Sequence, residues 1–416
     1  MNQWHVTGGR PLRGRIRIQG SKNAVLPVIA ASLLTPNETE LLNCPALSDV
    51  EAAVDILRYL GCSAESGGGE LHIDTTAPAR CDIPRELMHR MRSSVIFLGP
   101  LLGRFGEARV SVPGGCELGP RPIDLHLQAL RVLGADIEET EEGILCRSEG
   151  LHGGEISLVL PSVGATENAM IAACAAKGES VIYNAAREPE IVFLQEYLRR
   201  LGADIAGAGS PVIRIRGFDP RKKAGLRIPP DRIAAATYLC CAVCAGGEVE
   251  LTGVRPSELR PVLTALGSMG CALSEGRDTL HISASGRPLS PGAVVTRPYP
   301  GFPTDAMPLL MAASLRCRGA AMFMENIFSA RFRHAEELRR LGANIVLRGP
   351  MAIVTGEEHL TGAELTSPDL RGGAALVAAA LGAEGESVIR DNGHIPRGYE
   401  DLEEHLRSLG ADIWRE

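Results

Sequence analysis

At 416 residues, 45% of them apolar and 22% charged, the chain is too long for one ordinary core and suits about two soluble domains. A net charge of −7, with no basic stretch longer than Arg221-Lys222-Lys223, argues against a nucleic-acid partner. The longest apolar runs, such as 234–245, fall short of the roughly 20 residues that span a bilayer. The opening residues lack the charged-then-apolar pattern of a secretory signal, so no membrane association and a cytoplasmic location are expected. Eleven cysteines, several inside apolar runs, read as reduced interior thiols rather than a disulfide framework. Cys241 and Cys244 have the spacing of half a metal site but sit mid-run with no second pair, so packing is the expectation and no metal is implied.

In chain order, a helix end, a small-residue turn and a strand start recur together six times. They stand at Leu60-Gly61-Cys62, Leu133-Gly134-Ala135, Leu201-Gly202-Ala203, Met269-Gly270-Cys271, Leu341-Gly342-Ala343 and Leu409-Gly410-Ala411, 68 to 73 residues apart. Glycine at that point fits a left-handed helix cap with the next strand following at once. A second marker keeps step, because strand candidates start near Glu38, Glu107, Glu179, Glu248, Ala320 and Glu386. Two markers in phase predict six homologous α/β units of about 70 residues.

Before each of these strands lies a helix candidate that is apolar on every face: 24–34, 94–102, 169–176, 233–245, 307–315 and 373–381. A helix with no polar stripe is buried all round. The other helix of each unit is amphipathic, as in 190–201 and 335–341. Six buried helices need sheets and outer helices around them. The expected class is therefore α/β with helices inside, in two groups of three units, with the Pro- and Lys-rich stretch 219–230 as the crossover.

Polar residues cluster where the buried helices begin: Lys22 and Asn23, Arg92 and Ser93, Ser162 and Thr166, Asp231 and Arg232, Thr304 and Asp305, Asp369 and Arg371. Ser, Thr and Asp there are ordinary caps. The cations are the anomaly, since the positive end of the helix dipole disfavours them. Several in parallel suit a site for phosphates and carboxylates. Lys22 stands out further as the only lysine before Lys177. The segment from Val112 to Pro122 holds three glycines and three prolines around Cys116, too broken for helix or strand. With Arg121 nearby, its cysteine reads either as a reactive thiol or proton donor on a lid, or as a surface thiol on a tight turn.

Taken in order, Gly20-Ser-Lys-Asn23, Pro113-Gly-Gly-Cys116, Gly119-Pro-Arg-Pro-Ile-Asp-Leu-His126 and Ser162-Val-Gly-Ala-Thr-Glu-Asn168 form a recognisable series. It continues with Asn184-Ala-Ala-Arg-Glu-Pro-Glu-Ile191, Pro230-Asp-Arg-Ile233, Phe302-Pro-Thr-Asp305, Asp369-Leu-Arg371 and Arg397-Gly-Tyr-Glu400. In this order and spacing the chain resembles, along essentially its whole length, the enolpyruvyl transferases that act on UDP-N-acetylglucosamine. The resemblance implies two inside-out α/β domains of three βαβαββ-type repeats each, joined by two crossings, with substrates in the cleft between them. Residues 22–229, with the Cys116 loop, would form the first domain, and 1–21 with 230–416 the second.

The implied reaction moves the enolpyruvyl group of phosphoenolpyruvate to the 3-hydroxyl of UDP-N-acetylglucosamine, releasing phosphate without cofactor or metal. It opens peptidoglycan precursor synthesis. By the same resemblance, Cys116 is the proton donor, the thiol that can hold a phospholactoyl adduct, and the target of covalent inactivation by fosfomycin. Lys22, Arg121 and Arg397 clamp phosphoenolpyruvate, and Asp305 takes the sugar hydroxyl proton. Asn23, Arg92, the run Arg121, Pro122, Ile123, Asp124 and Leu125, then Ser162, Val163, Gly164 and Ile327, line the UDP-sugar pocket. Arg331 joins the substrate contacts, and Asp369 and Arg371 lie beside them.

The chain departs from the family pattern at Phe193, Ala234, Pro308, Ser329 and Pro396. Pro308 fits the first turn of its helix, while Pro396 adjoins Arg397. These departures leave a second reading, a non-catalytic paralogue that binds UDP-sugar and regulates. Transfer to shikimate 3-phosphate is a third, against which stand Ser21-Lys-Asn23 and the Pro-Gly-Gly-Cys loop.

Overall fold

The computed structural model describes residues 2–91, 93–111 and 123–416. Its strands form six four-stranded sheets, one for each expected repeat. The repeat from 155 to 218 shows the plan. The strand Glu155–Ser157 pairs parallel with Ser180–Tyr183 across the buried helix Val163–Cys174. The outer helix Pro189–Leu201 then leads to a hairpin of Ala203–Ala206 and Val212–Phe218. The second hairpin strand closes antiparallel on Ser180–Tyr183, so the run is βαβαββ.

The six repeat glycines, Gly61, Gly134, Gly202, Gly270, Gly342 and Gly410, all have φ between 87° and 115°. That region suits glycine because a Cβ would collide with the following carbonyl. At Gly202 the constraint is doubled, since a Cβ would lie 1.7 Å from the Asp219 carbonyl oxygen. The strands that follow the buried helices begin at Glu38, Glu107, Ser180, Gly247, Ala320 and Glu386, within one residue of expectation.

The chain divides into two compact units, each with its own hydrophobic core. One comprises 2–19 and 230–416, the other 20–111 and 123–229. In the first, the helices Arg232–Ala245, Met307–Ala313 and Leu370–Leu381 pack on one another. Ile233 to Cys244 and Arg371 to Leu381 are buried without a break. In the second, Leu98–Phe105 packs on Val163–Cys174, and Lys22–Ala31 is buried from Ala24 onward. Cys241 and Cys244 lie inside the first core. Burial pushes the Cys241 thiol up and Cys244 to about 12, as for packed hydrophobes. Pro308 occupies the first turn of its helix. No helix among the described residues is long and apolar enough to cross a membrane.

Two details differ from the sequence reading. The helix expected at 169–176 starts at Val163, because Thr166, Glu167 and Asn168 are buried polar residues that interrupt the apolar run. The stretch 219–230 contains a strand, Lys223–Arg227, that pairs parallel with Glu38–Leu42. Only Leu226 of it is fully buried, so it shows no alternation to read. This strand supplies the first strand of the repeat that starts at Lys22. Leu12–Arg17 does the same for Gly247–Thr252, and Asn2–Thr7 lies between Glu386–Asp391 and Asp412–Arg415. Each of these strands thus completes a sheet of its own compact unit, in a repeat far from it along the chain.

Candidate active site

In the unit formed by 2–19 and 230–416, two of the three buried helices begin with acidic caps. Asp231 Oδ1 accepts from the Ile233 and Ala234 N–H groups at 2.8 and 3.0 Å. Asp369 Oδ1 accepts from Arg371 and Gly372 at 3.0 and 3.1 Å. Asp305 stands in the short turn Thr304–Ala306 ahead of Met307–Ala313. Its Oδ1 accepts from Arg331 Nη2 at 2.8 Å and its Oδ2 from Arg371 Nε at 3.3 Å. The two arginine side chains are 1% and 2% exposed, whereas Asp305 keeps 28%. A half-open carboxylate thus lies between two buried cations.

Each arginine is held from behind. Arg331 Nε donates to Thr304 Oγ1 at 3.1 Å, and that hydroxyl donates to Glu325 Oε2 at 2.8 Å. Glu325 Oε1 accepts from the Ile327 and Phe328 N–H groups at 2.7 and 3.0 Å. This ties Ile327, whose side chain is exposed, to the same network. Arg371 Nη1 donates to the Tyr399 hydroxyl at 3.2 Å, which bonds Thr237 Oγ1 at 2.8 Å. Thr237 gives its own proton to the Ile233 carbonyl at 2.9 Å, so Tyr399 donates to Thr237. Burial pulls the Arg371 guanidinium down, but Tyr399, Asp305 and Asp231 outweigh it and hold it above its ordinary value. Arg331 Nη1, Arg371 Nη2 and Asp369 Oδ2 are buried and have no hydrogen-bond partner among the described residues. Guanidinium donors left in that state suit an anion.

His334 also belongs to this cluster. It is fully buried, its Nδ1 lies 3.1 Å from the Arg331 carbonyl, and its Nε2 has no partner among the described residues. Burial pushes the imidazole down to about 4, against the pull of the Asp369 carboxylate. Unfolding returns it toward its ordinary 6.5, so the unfolded chain binds the extra proton between those values. This part of the stability is complete above pH 6.5 and is lost as pH falls toward 4, at about 1 kcal/mol per pH unit. A thermal series from pH 7 to 5 should show a steeper loss of Tm in the wild type than in His334→Asn. Equal slopes would contradict a neutral His334.

Arg397 ends the turn Ile395–Arg397, with Pro396 inside it, and is partly buried. Ser329 is exposed, while Ala234 and Phe193 are buried in their cores.

In the other unit, Lys22 and Asn23 open the helix Lys22–Ala31. Lys22 Nζ meets Asp49 Oδ2 at 3.2 Å. Asp49, 3% exposed on its side chain, opens the outer helix Ser48–Tyr59 and relieves the unfavourable placing of a cation at a helix start. Ser162 caps Val163–Cys174 by accepting from Ala165 N at 3.4 Å, and Val163 and Gly164 form the first turn. A Cβ on Gly164 would lie 3.1 Å from His126, so glycine lets that ring pack against the turn. Asn168 Oδ1 accepts from Gly99 N at 2.7 Å, which aims its amide at His126 Nδ1, 3.1 Å away. His126 follows Ile123, Asp124 and Leu125 at the start of Asp124–Val132, where Leu125 is buried and Asp124 exposed.

Three glutamates of this unit went unassigned in the sequence. Burial pushes the Glu167 carboxyl well up, and Glu190 and Glu188 add to the effect. Glu188 and Glu190 flank Pro189 inside the Asn184–Ile191 stretch, the one local signal that marked them. Asp49 carried no local signal, because it matters through Lys22, 27 residues away. His334 carried none because only the packing buries it, and Tyr399 was marked only by its place in the Arg397–Glu400 stretch. Arg92, Cys116, Arg121 and Pro122 lie outside the described residues.

Comparison with known proteins agrees with this chemistry. A family model for EPSP synthase (3-phosphoshikimate 1-carboxyvinyltransferase) matches residues 6–406. A UDP-N-acetylglucosamine 1-carboxyvinyltransferase 2 of Caldanaerobacter subterraneus is 44% identical, covering 100% of both chains. Its counterpart in Mesorhizobium japonicum is 46% identical over 100% of this chain and 99% of its own. Among solved structures, the enolpyruvyl transferase NikO from Streptomyces tendae superposes with a TM-score of 0.92 at 26% identity, covering 100% of this chain and 98% of that one. An EPSP synthase from Acinetobacter baumannii, at 20% identity and a TM-score of 0.75 with both chains fully covered, shares the fold. The full-length identity to relatives of one name, set against the weaker likeness to the shikimate enzymes, shows that the chain belongs to the UDP-N-acetylglucosamine 1-carboxyvinyltransferase family of enolpyruvyl transferases.

Proposed function

We propose that this chain transfers the enolpyruvyl group of phosphoenolpyruvate to the 3-hydroxyl of UDP-N-acetylglucosamine and releases phosphate. It would act in the cytoplasm at the first committed step of peptidoglycan precursor synthesis. The observation that supports the reading most is Asp305, reachable from solvent and fixed between the buried Arg331 and Arg371.

The sugar hydroxyl adds to C2 of phosphoenolpyruvate while a proton reaches C3, and phosphate then leaves as C3 gives up a proton. Asp305 accepts the hydroxyl proton, a role that requires a carboxylate of fixed position within hydrogen-bond reach. Lys22, Arg121 and Arg397 bind the phosphate and carboxylate of phosphoenolpyruvate, and Arg331 and Arg371 add cationic donors. Cys116 delivers the proton to C3 and can hold the phospholactoyl adduct. The UDP-sugar is held by Asn23, Arg92, Arg121 to Leu125, Ser162 to Gly164 and Ile327, and Asp369 orients Arg371 through its backbone N–H. Fosfomycin inactivates through Cys116.

Full-length identity of 44–46% to the transferases favours this over a non-catalytic regulator. Phosphate release from the purified protein should require both phosphoenolpyruvate and UDP-N-acetylglucosamine. Binding of the UDP-sugar with no release would instead make the chain a regulator.

A further inference from the structure

The loop that carries Arg397 is secured by a residue with no assigned role. On its near side, Asp391 Oδ1 accepts from His394 N at 3.1 Å and Oδ2 from Ile395 N at 3.2 Å. Beyond Arg397, one side chain from 379 and 381 residues away takes two backbone groups. Gln19 Nε2 donates to the Gly398 carbonyl at 3.1 Å, and Gln19 Oε1 accepts from the Glu400 N–H at 2.9 Å. The residue is 7% exposed. Its backbone carbonyl also accepts from Asp231 N at 2.9 Å, so it is anchored to the cap of the helix Arg232–Ala245. A primary amide is the side-chain group that presents an acceptor and a two-proton donor side by side. Here it does for the loop what a neighbouring strand would do.

The loop has little other freedom. A Cβ on Gly398 would lie 2.7 Å from the Leu370 side chain, so the backbone presses on the start of Leu370–Leu381. Between the two groups that Gln19 holds, Tyr399 projects to Arg371 and Thr237. Losing Gln19 would release Gly398 directly beside Arg397 and leave a buried carbonyl without a donor.

We propose that Gln19 is a positioning residue for Arg397, setting affinity for phosphoenolpyruvate while leaving the sugar nucleotide unaffected. The inference rests on Arg397 belonging to the phosphoenolpyruvate clamp. Gln19→Met keeps the length of the stem and removes both bonds. Gln19→Glu keeps the acceptor for Glu400 N–H and loses the donor to Gly398.

The experiment compares steady-state phosphate release in both variants, in Arg397→Lys and in the double variant Gln19→Met/Arg397→Lys. Both single Gln19 variants should raise KM for phosphoenolpyruvate about ten-fold, with KM for UDP-N-acetylglucosamine within about two-fold of wild type. Adding Gln19→Met to Arg397→Lys should raise KM for phosphoenolpyruvate by less than about three-fold, because the group being positioned is already compromised. A parallel rise in both KM values, or full additivity in the double variant, would overturn the proposal and leave Gln19 a structural support. Failure of both single variants to fold would do the same. An unchanged KM for phosphoenolpyruvate in Arg397→Lys alone would remove the Arg397 assignment instead, and this inference with it.

Discussion

Asp305→Ala should abolish turnover and also weaken the fold. The first effect follows from its proposed role, since a general base contributes about 10²–10⁴-fold. The second follows from its surroundings. Arg331 and Arg371 are 1% and 2% exposed and both donate to this carboxylate, so its removal leaves two buried guanidiniums without their counterion. Breaking a buried pair from one side costs about 3–5 kcal/mol, although the half-open Asp305 and the bond from Arg371 to Tyr399 place the expected loss near the lower end. Asp305→Asn separates the two effects. It keeps the shape and one acceptor, so Tm should fall less than in the alanine variant, while kcat should fall about 10³-fold. Activity within ten-fold of wild type in Asp305→Asn would sink the assignment of Asp305 as proton acceptor.

Cys116→Ser should lower kcat about 10³-fold at neutral pH, because a serine hydroxyl is a far weaker acid than a thiol. Cys116→Asp should keep substantial activity, since a carboxylic acid can also hand a proton to C3. The same residue should dominate alkylation of the native protein. The other ten cysteines are buried or half-buried. Burial pushes Cys62 and Cys271 to about 11 and Cys146, Cys174 and Cys244 to about 12. Thiols in that range are almost wholly protonated at pH 7.5 and react slowly. Brief treatment with fosfomycin or iodoacetamide, read by intact-mass and peptide spectra, should give one adduct per chain at Cys116 and none in Cys116→Ser. An adduct of equal yield elsewhere, or unchanged kcat in Cys116→Ser, would refute the assignment.

Much of the candidate site could be read from order and spacing, but as a set of residues rather than an arrangement. Lys22, Ser162, Asp305, Asp369 and Arg371 stood out because polar residues at the start of apolar helices break a pattern. Their pairings did not. Asp49 lies 27 residues from Lys22 and opens an ordinary amphipathic helix. Asp305 reaches Arg331 over 26 residues and Arg371 over 66. His334 looks like any polar residue at the start of an outer helix, yet it is fully buried behind Arg331. The early start of Val163–Cys174 was hidden for the same reason, since Asn168 is tolerated inside only because Gly99, Val95 and His126 satisfy its amide.

The sequence by itself determined what depends on neighbours along the chain. Six glycines mark six left-handed helix ends, and unbroken apolar stretches mark six buried helices, because backbone strain and burial act residue by residue. Repetition of those local signals was enough for the α/β class with helices inside and for strand starts within one residue. Only the tertiary structure decided which strand completes which sheet. Asn2–Thr7 enters the last sheet and Lys223–Arg227 enters the first, and nothing local to either segment names its partner. The same holds for Asp305 with its two arginines and for Gln19 with Gly398 and Glu400. Ion pairs and hydrogen bonds act over about 3 Å, and folding alone brings together groups such as Gln19 and Glu400, 381 positions apart.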